Sequence, residues 1–271
     1  FTVMQIVETA NEGLKRAYSV KILASDIAAR VDGEVKRLAP QVRMPGFRPG
    51  QLLLREGATM ASSENIVVHI EGKGGHGAMP HLSADPLVAG SAIVMALQTI
   101  VSRNVPPLQM AVITVGSFQS GVANNVIPQN ATLKLSVRAL DRGVRDLLRK
   151  RIVEVVELQA QSYGVTAQVE FLPGYPVLVN TPQETALARE VAVALVGADN
   201  VVLQTEPLTA SEDFAYMLDS VPGSYLFIGN GDAANGGHGA CMVHNPNYDF
   251  EDRNIPVGAA YWVALTERFL A

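Results

Sequence analysis

Apolar residues recur along this chain with a period that switches between two and about 3.6, and the switches mark out its elements. Alternation over residues 65–71 predicts a strand. Residues 108–118, 131–139 and 167–172 are β-rich. Helical spacing holds over 86–101, behind Asp85, and over 144–163. The resulting order over residues 63–173 is βαββαβ, a ferredoxin-like split unit. Ahead of it, residues 4–7 and 17–22 read as two short strands around Asn11-Glu12-Gly13, and Ser25 caps a helix over 26–39 that stops before Pro40. This is the opening of a small α+β unit. From residue 175 to 271 helix and strand alternate. Ser211 is the expected N-cap of a short helix opened by Glu212 and Asp213, residues 224–228 form an apolar strand before Gly229-Asn230-Gly231, and residues 256–270 form an amphipathic helix.

Composition changes this picture little. At 271 residues, 48% of them hydrophobic, the chain has ample core for one large domain or two ordinary ones. Its single cysteine excludes an intramolecular disulfide framework, and Phe1–Glu8 lacks the basic region and apolar core of a signal peptide, so a cytoplasmic location is expected. The longest apolar stretch, 87–101, is too short to span a bilayer, so no membrane role is expected. Charge is uneven, net +3 over residues 1–50 and net −8 over 51–271. The acidic body argues against DNA binding, which depends on clustered Lys and Arg.

Candidate chemistry concentrates in two glycine-rich stretches. Gly236-Gly237-His238-Gly239-Ala240-Cys241-Met242-Val243-His244, running on to Asp249, offers two imidazoles, a thiol and a carboxylate, each a donor that a transition metal accepts. By composition alone it reads equally as a surface loop. Gly72-Lys73-Gly74-Gly75-His76-Gly77-Ala78-Met79-Pro80-His81 sets two imidazoles on a turn directly after a strand. His76 there is either a reaching side chain or a plain helix-entry histidine; His81 reads as structural and His69 as a sheet-face residue. Asn125, ahead of Ile127-Pro128, and Arg138, near a strand end, read either as turn and solvated positions or as polar groups for a ligand carboxylate.

Taken together, Ser211-Glu212-Asp213-Phe214, the 224–228 strand and the loop through His244 resemble the C-terminal end of the zinc-dependent aminoacylase and carboxypeptidase family, which includes hippurate hydrolases, N-acyl-amino-acid amidohydrolases and auxin-conjugate hydrolases. The resemblance covers residues 51–271. It implies an α/β fold: a zinc-peptidase-like catalytic domain, represented by 51–62 and 174–271, carrying the βαββαβ unit as a lid that dimerises by edge-to-edge sheet pairing. It implies that His244 is a metal ligand, that the Ser-Glu-Asp-Phe element floors the site, that His76 polarises the scissile carbonyl oxygen, commonly across a dimer interface, and that Asn125 and Arg138 lie near the substrate carboxylate. The implied reaction is hydrolysis of a small N-acyl amino acid by a metal-activated water, with zinc the expected metal and manganese, cobalt or nickel as alternatives.

Residues 4–50 resemble a different family. Met44-Pro45-Gly46-Phe47-Arg48-Pro49-Gly50 is similar to the ribosome-docking loop of trigger factor, which implies ribosome contact through Phe47 and Arg48 and makes residues 1–50 a trigger-factor-like fragment fused to the hydrolase segment. Pro45-Gly46 with Gly50-Gln51 also satisfies a pattern of the hydrolase family, so the expected join falls on a shared motif. That family draws further ligands from a Cys-Gly-His-Asp motif and a Glu pair, absent here, and from a histidine whose place Val42 takes. Weak metal retention and impaired amidase activity are therefore expected. A non-catalytic dimerising fragment and a ribosome-associated module are the alternatives.

Overall fold

The computed structural model describes residues 5–12, 15–21, 48–231, 241 and 243–271. The expected helix over 26–39 and Phe47 lie outside the described residues, as does His238. The chain divides into two compact units, one containing the N-terminal hairpin and Gly229–Ile255, the other Gln51–Ile228 with Pro256–Ala271. Residues 229–255 thus group apart from the rest of 174–271, unlike the expected division.

The hairpin pairs β1 (Gln5–Glu12) with β2 (Lys15–Lys21) antiparallel, longer than the strands expected over 4–7 and 17–22 because pairing continues as far as Glu12 and Lys15. In the larger unit, β3 (Leu52–Leu54) and β4 (Gly57–Met60) lead into β5 (Ser62–Glu71), the first strand of a four-stranded sheet. A two-residue β6 (Gly75–His76) follows, then α1 (Pro86–Asn104), β7 (Ala111–Ser120), β8 (Val126–Ile127), β9 (Asn130–Ala139), α2 (Arg142–Ser162) and β10 (Thr166–Tyr175). The sheet order is β10-β5-β9-β7 with every neighbour antiparallel, the split βαββαβ arrangement.

The two helices form where the apolar spacing and the caps agree. Asp85 accepts the Leu87 and Val88 N–H groups and Asp141 accepts that of Val144, satisfying donors that a helix start leaves open. Ala89, Ile93, Leu97 and Ile100 on α1, and Val144, Leu148, Ile152, Val156 and Ala160 on α2, are buried on Ile66, Val68 and Ile70 of β5 and Ala131, Leu133, Leu135 and Val137 of β9. At 19 residues α1 exceeds the stretch expected over 86–101 and has the length and composition of a bilayer-crossing helix, but its inner face is sealed against this sheet. The strand expected from residue 108 starts at Ala111, because Gln109 N–H donates to the Pro106 carbonyl and closes a turn.

The remainder comprises β11 (Leu178–Asn180) paired with β4, α3 (Pro182–Val196), β12 (Val201–Leu203), α4 (Phe214–Ser220), β13 (Phe227–Ile228) and α5 (Asn254–Leu270). β3 is the middle of a mixed sheet, parallel to β12 and antiparallel to β13. Leu52 and Leu54 pack on Ala188, Val191 and Ala192 of α3 and on Tyr261 of α5, whose hydroxyl burial pushes up to about 12.

Two expectations need correction here. Asp213, not Ser211, precedes the first turn of α4, because the preceding backbone is tied to residues 59–61: Leu208 N–H donates to Thr59 O and Ala61 N–H to the Leu208 and Ala210 carbonyls. The strand expected over 224–228 shrinks to Phe227–Ile228. Tyr225 pairs its backbone with the buried Asn180 side chain instead, N–H to Oδ1 at 2.7 Å and O from Nδ2 at 2.8 Å.

Leu148→Ala removes a fully buried side chain from the main core and is expected to cost about 2–5 kcal/mol in urea unfolding. A loss below about 1 kcal/mol would show that this face of α2 is not a packed core.

Candidate active site

His76 stands on β6, which pairs with β8 so that His76 faces Val126 and Gly75 faces Ile127. Gly77 N–H donates to the Asn125 carbonyl at 2.8 Å, which sets Asn125 next to His76. Glycine is needed for this approach. A Cβ on Gly74 would meet Ile127 O at 2.9 Å, and one on Gly77 would meet Asn125 O at 3.0 Å. Gln129 braces the loop from below, accepting from Gly74 N–H (3.0 Å) and donating to Gly72 O (2.7 Å) and Glu71 Oε1 (3.0 Å). Nothing in the residue pattern singled out Gln129; it acts only through the fold.

The imidazole has a defined orientation. Ala78 N–H donates to His76 Nδ1 at 3.0 Å, and a backbone N–H can only donate, so the neutral ring carries its proton on Nε2. The exposed ring therefore presents an N–H donor, as polarising a carbonyl oxygen requires. His81 is exposed on a short 3-10 turn, and His69 lies on the open sheet face with Nε2 3.3 Å from Glu170 Oε2.

Arg138 belongs to a second group. It lies at the far end of β9, half-buried, with Nη1 donating to Ser211 Oγ at 2.9 Å. The structure thus joins two features picked out separately in the sequence. Beside Ser211, the Glu212 carboxyl is held above the usual carboxylate range, first by its hydrogen bond with Asp213 and then by burial. Tyr225 is raised by burial and by the charges of Glu212 and Asp213, and its ring packs between Phe214 (5.7 Å between centroids) and Phe227 (5.2 Å).

These two groups are far apart. Asn125 and His76 adjoin the start of β9, whereas Arg138 is eight residues along it, about 26 Å away at about 3.3 Å per residue. No small amino-acid derivative reaches from one to the other within one copy of the chain.

His244 belongs to the smaller unit, in a loop tied at its base. Asn230 Nδ2 donates to Asp249 O (2.9 Å), Glu251 N–H donates to Asn230 Oδ1 (2.8 Å), and Asn254 Nδ2 donates to Gly229 O (3.0 Å). Buried Glu251 accepts from Arg253 through Nε (2.9 Å) and Nη2 (2.6 Å). Of these ties the residue pattern hinted only at Gly229-Asn230-Gly231. His244 is exposed and left-handed, with φ at 70°, uncommon for a residue with a side chain. Cys241 is half-buried. Among the described residues no group of three or more His, Cys, Asp or Glu side chains could hold a metal ion, so the described donors do not complete a metal centre around His244.

The sequence profile of peptidase family M20/M25/M40 matches residues 9–268. The chain belongs to that family. The match opens at residue 9, inside the 1–50 segment expected to be a trigger-factor-like fragment, and the comparisons give that expected fusion no support. Hippurate hydrolase of Campylobacter jejuni is 36% identical over 227 residues, covering 84% of this chain and 57% of that protein. N-acetyl-L-cysteine deacetylase of Bacillus subtilis is 37% identical over 219 residues, covering 81% and 50%. A B. subtilis structure described as a dinuclear metal-binding peptidase of the M20 family superposes with a TM-score of 0.65 at 24% identity, over 82% of this chain and 54% of that one. The chain spans about half the length of these M20 relatives.

Two measurements probe the site directly. Nitrogen-15 NMR of the neutral His76 ring is expected to show a protonated Nε2 and a bare Nδ1; the opposite pattern would remove its donor role. Because the folded state holds a proton on Glu212 more tightly than the unfolded chain does, stability falls as pH rises through the carboxylate range. Glu212→Gln is accordingly expected to be more stable than wild type at pH 7, with the gain vanishing once both states are protonated at low pH. A gain that persists there would show that the carboxyl is not under strain.

Proposed function

We propose that this chain takes part in hydrolysing small N-acyl amino acids, in a site assembled from two copies. The single observation that carries this is the separation along β9: His76 and Asn125 at one end and Arg138 with Ser211 at the other can meet one substrate only if each group comes from a different copy. Substrate class follows the relatives, whose names specify acylated amino acids.

In this scheme His76 Nε2–H donates to the scissile carbonyl oxygen as negative charge builds on it. Arg138, one nitrogen anchored on Ser211, directs its remaining donors to the substrate carboxylate, and Asn125 adds an amide beside His76. A divalent metal, zinc foremost with manganese, cobalt or nickel as alternatives, accords with the dinuclear relative, and His244 is the ligand this chain would contribute. One described donor does not hold such an ion, so the chain alone is expected to retain metal weakly and turn substrate over slowly.

The lid would pair with its second copy through β7. Among the described residues no strand pairs with the outer edge of β7, and the outer face of the neighbouring α1, with Val88, Ser91, Met95, Gln98 and Ser102 exposed, has no charged residue before Arg103. Both features suit a symmetric contact. The alternative of ribosome contact through Phe47 and Arg48 rests on the loop sequence alone; co-sedimentation with ribosomes that persists in the Phe47→Ala, Arg48→Ala chain would remove it.

Complementation between copies tests the main reading. His76→Ala and Arg138→Ala chains are each expected to bind hippurate poorly in titration calorimetry, and an equimolar mixture to recover part of the binding, because mixed dimers contain one intact site. Two folded variants that never complement, or a wild-type chain that is monomeric at micromolar concentration in light scattering, would sink it. Separately, one zinc per chain surviving dialysis, together with hippurate turnover abolished by His244→Ala, would overturn the expectation of weak metal retention.

A further inference from the structure

The backbone leading into His76 has little of its own to hold it. Of residues 72–75, three are glycine and the fourth, Lys73, is exposed. The ladder that follows, Gly75 and His76 against Ile127 and Val126, is two residues long and gives a weak hold by itself. The hydrogen bonds of this stretch therefore come from elsewhere in the chain. Lys73 exchanges both backbone groups with Ala84, N–H to O at 2.8 Å and O from N–H at 3.0 Å. Gly72 and Gly74 turn to Gln129. Gly72 N–H donates to the Gln129 backbone carbonyl at 2.8 Å, while the side-chain amide donates to Gly72 O at 2.7 Å and accepts from Gly74 N–H at 3.0 Å. A further bond from Nε2 to Glu71 Oε1, at 3.0 Å, uses the second amide hydrogen. Gly72 O can only accept and Gly74 N–H can only donate, so one orientation of the amide fits.

We propose that Gln129 is a positioning residue for His76: its amide grips Gly72 and Gly74 and thereby fixes where the imidazole Nε2–H stands. For what that N–H meets, the scissile carbonyl oxygen, the inference rests on the activity proposed above. Gln129 is exposed, so on loss of its side chain water reaches Gly72 O and Gly74 N–H and the sheet stays intact. Water satisfies those two groups but does not fix the distance between them. A donor aimed at a developing charge loses its effect when the residues that support it are loose. The role of Gln129 is thus in the placement of the ring, with little share in stability.

Nitrogen-15 NMR of the full chain reads the ring directly. In Gln129→Ala the His76 Nδ1 and Nε2 resonances are expected to move toward those of a mixture of tautomers, as the bond from Ala78 N–H to Nδ1 loosens, while the urea midpoint stays near that of wild type. The double variant Glu71→Gln, Gln129→Glu reverses the bond between the two side chains and keeps an acceptor for Gly74 N–H, and is expected to restore the wild-type resonances in part. Hippurate calorimetry gives the second readout: Gln129→Ala is expected to weaken binding about tenfold in the wild-type chain and no further in a His76→Ala chain. Unmoved ring resonances, equal losses in the two backgrounds, or a large fall in urea stability, which would make the residue a structural one, overturn the proposal. Hippurate binding untouched by His76→Ala would instead sink the activity reading, and the ring resonances would still decide whether Gln129 places His76.

Discussion

Ten residues of extended backbone, Asn130–Ala139, set the geometry on which the rest of the larger unit depends. β9 is hydrogen-bonded on both sides, to β5 and β7, and its alternate side chains fill the core beneath α1 and α2. A strand so held can neither slip nor bend without exposing its apolar set, since a one-residue shift moves every side chain to the opposite face. Its two ends are therefore fixed points. One adjoins the turn that brings Asn125 to His76, and the other delivers Arg138 to Ser211. The strand thus acts as a rigid spacer between the two groups.

Away from the sheet, irregular backbone is held by amide side chains standing in for strand partners. Gln129 bridges two sides of the His76 loop, Asn180 pairs with Tyr225 as a neighbouring strand would, and Asn230 with Asn254 closes the base of the loop bearing His244. Each amide offers both a donor and an acceptor, so one residue can satisfy backbone groups that no strand reaches. Segments held this way follow the positions of a few side chains, which lets a catalytic residue sit at an angle that regular structure does not provide.

α1 and α5 share a trait that sets them apart from α2. Both leave a long uncharged surface outside, whereas α2 carries charged residues throughout and ties Arg145 and Arg149 to the buried carboxylate of Glu64. Charge on an outer face is inexpensive where water remains and costly where a second apolar layer arrives. The contrast separates a helix whose outer face carries charge from two whose outer faces carry almost none.

The period of the apolar residues was enough to determine the βαββαβ order and its two helices, and Asp85 marked the start of the first, because those elements are stabilised by contacts within and between regular segments. His76, Asn125, Arg138 and His244 were named from the sequence as candidates. Their grouping was not. Only the folded chain sets Asn125 beside His76, joins Arg138 to Ser211 and draws these pairs to opposite ends of one strand, since register and chain reversal decide which distant residues meet. The same holds for the short β13 and the late start of α4, where a buried side-chain amide and backbone hydrogen bonds to residues 59–61 outcompete the local preference for strand or helix. Local pattern states what each segment can become; the competition for hydrogen-bond partners and buried area, settled only in three dimensions, determines what it is used for.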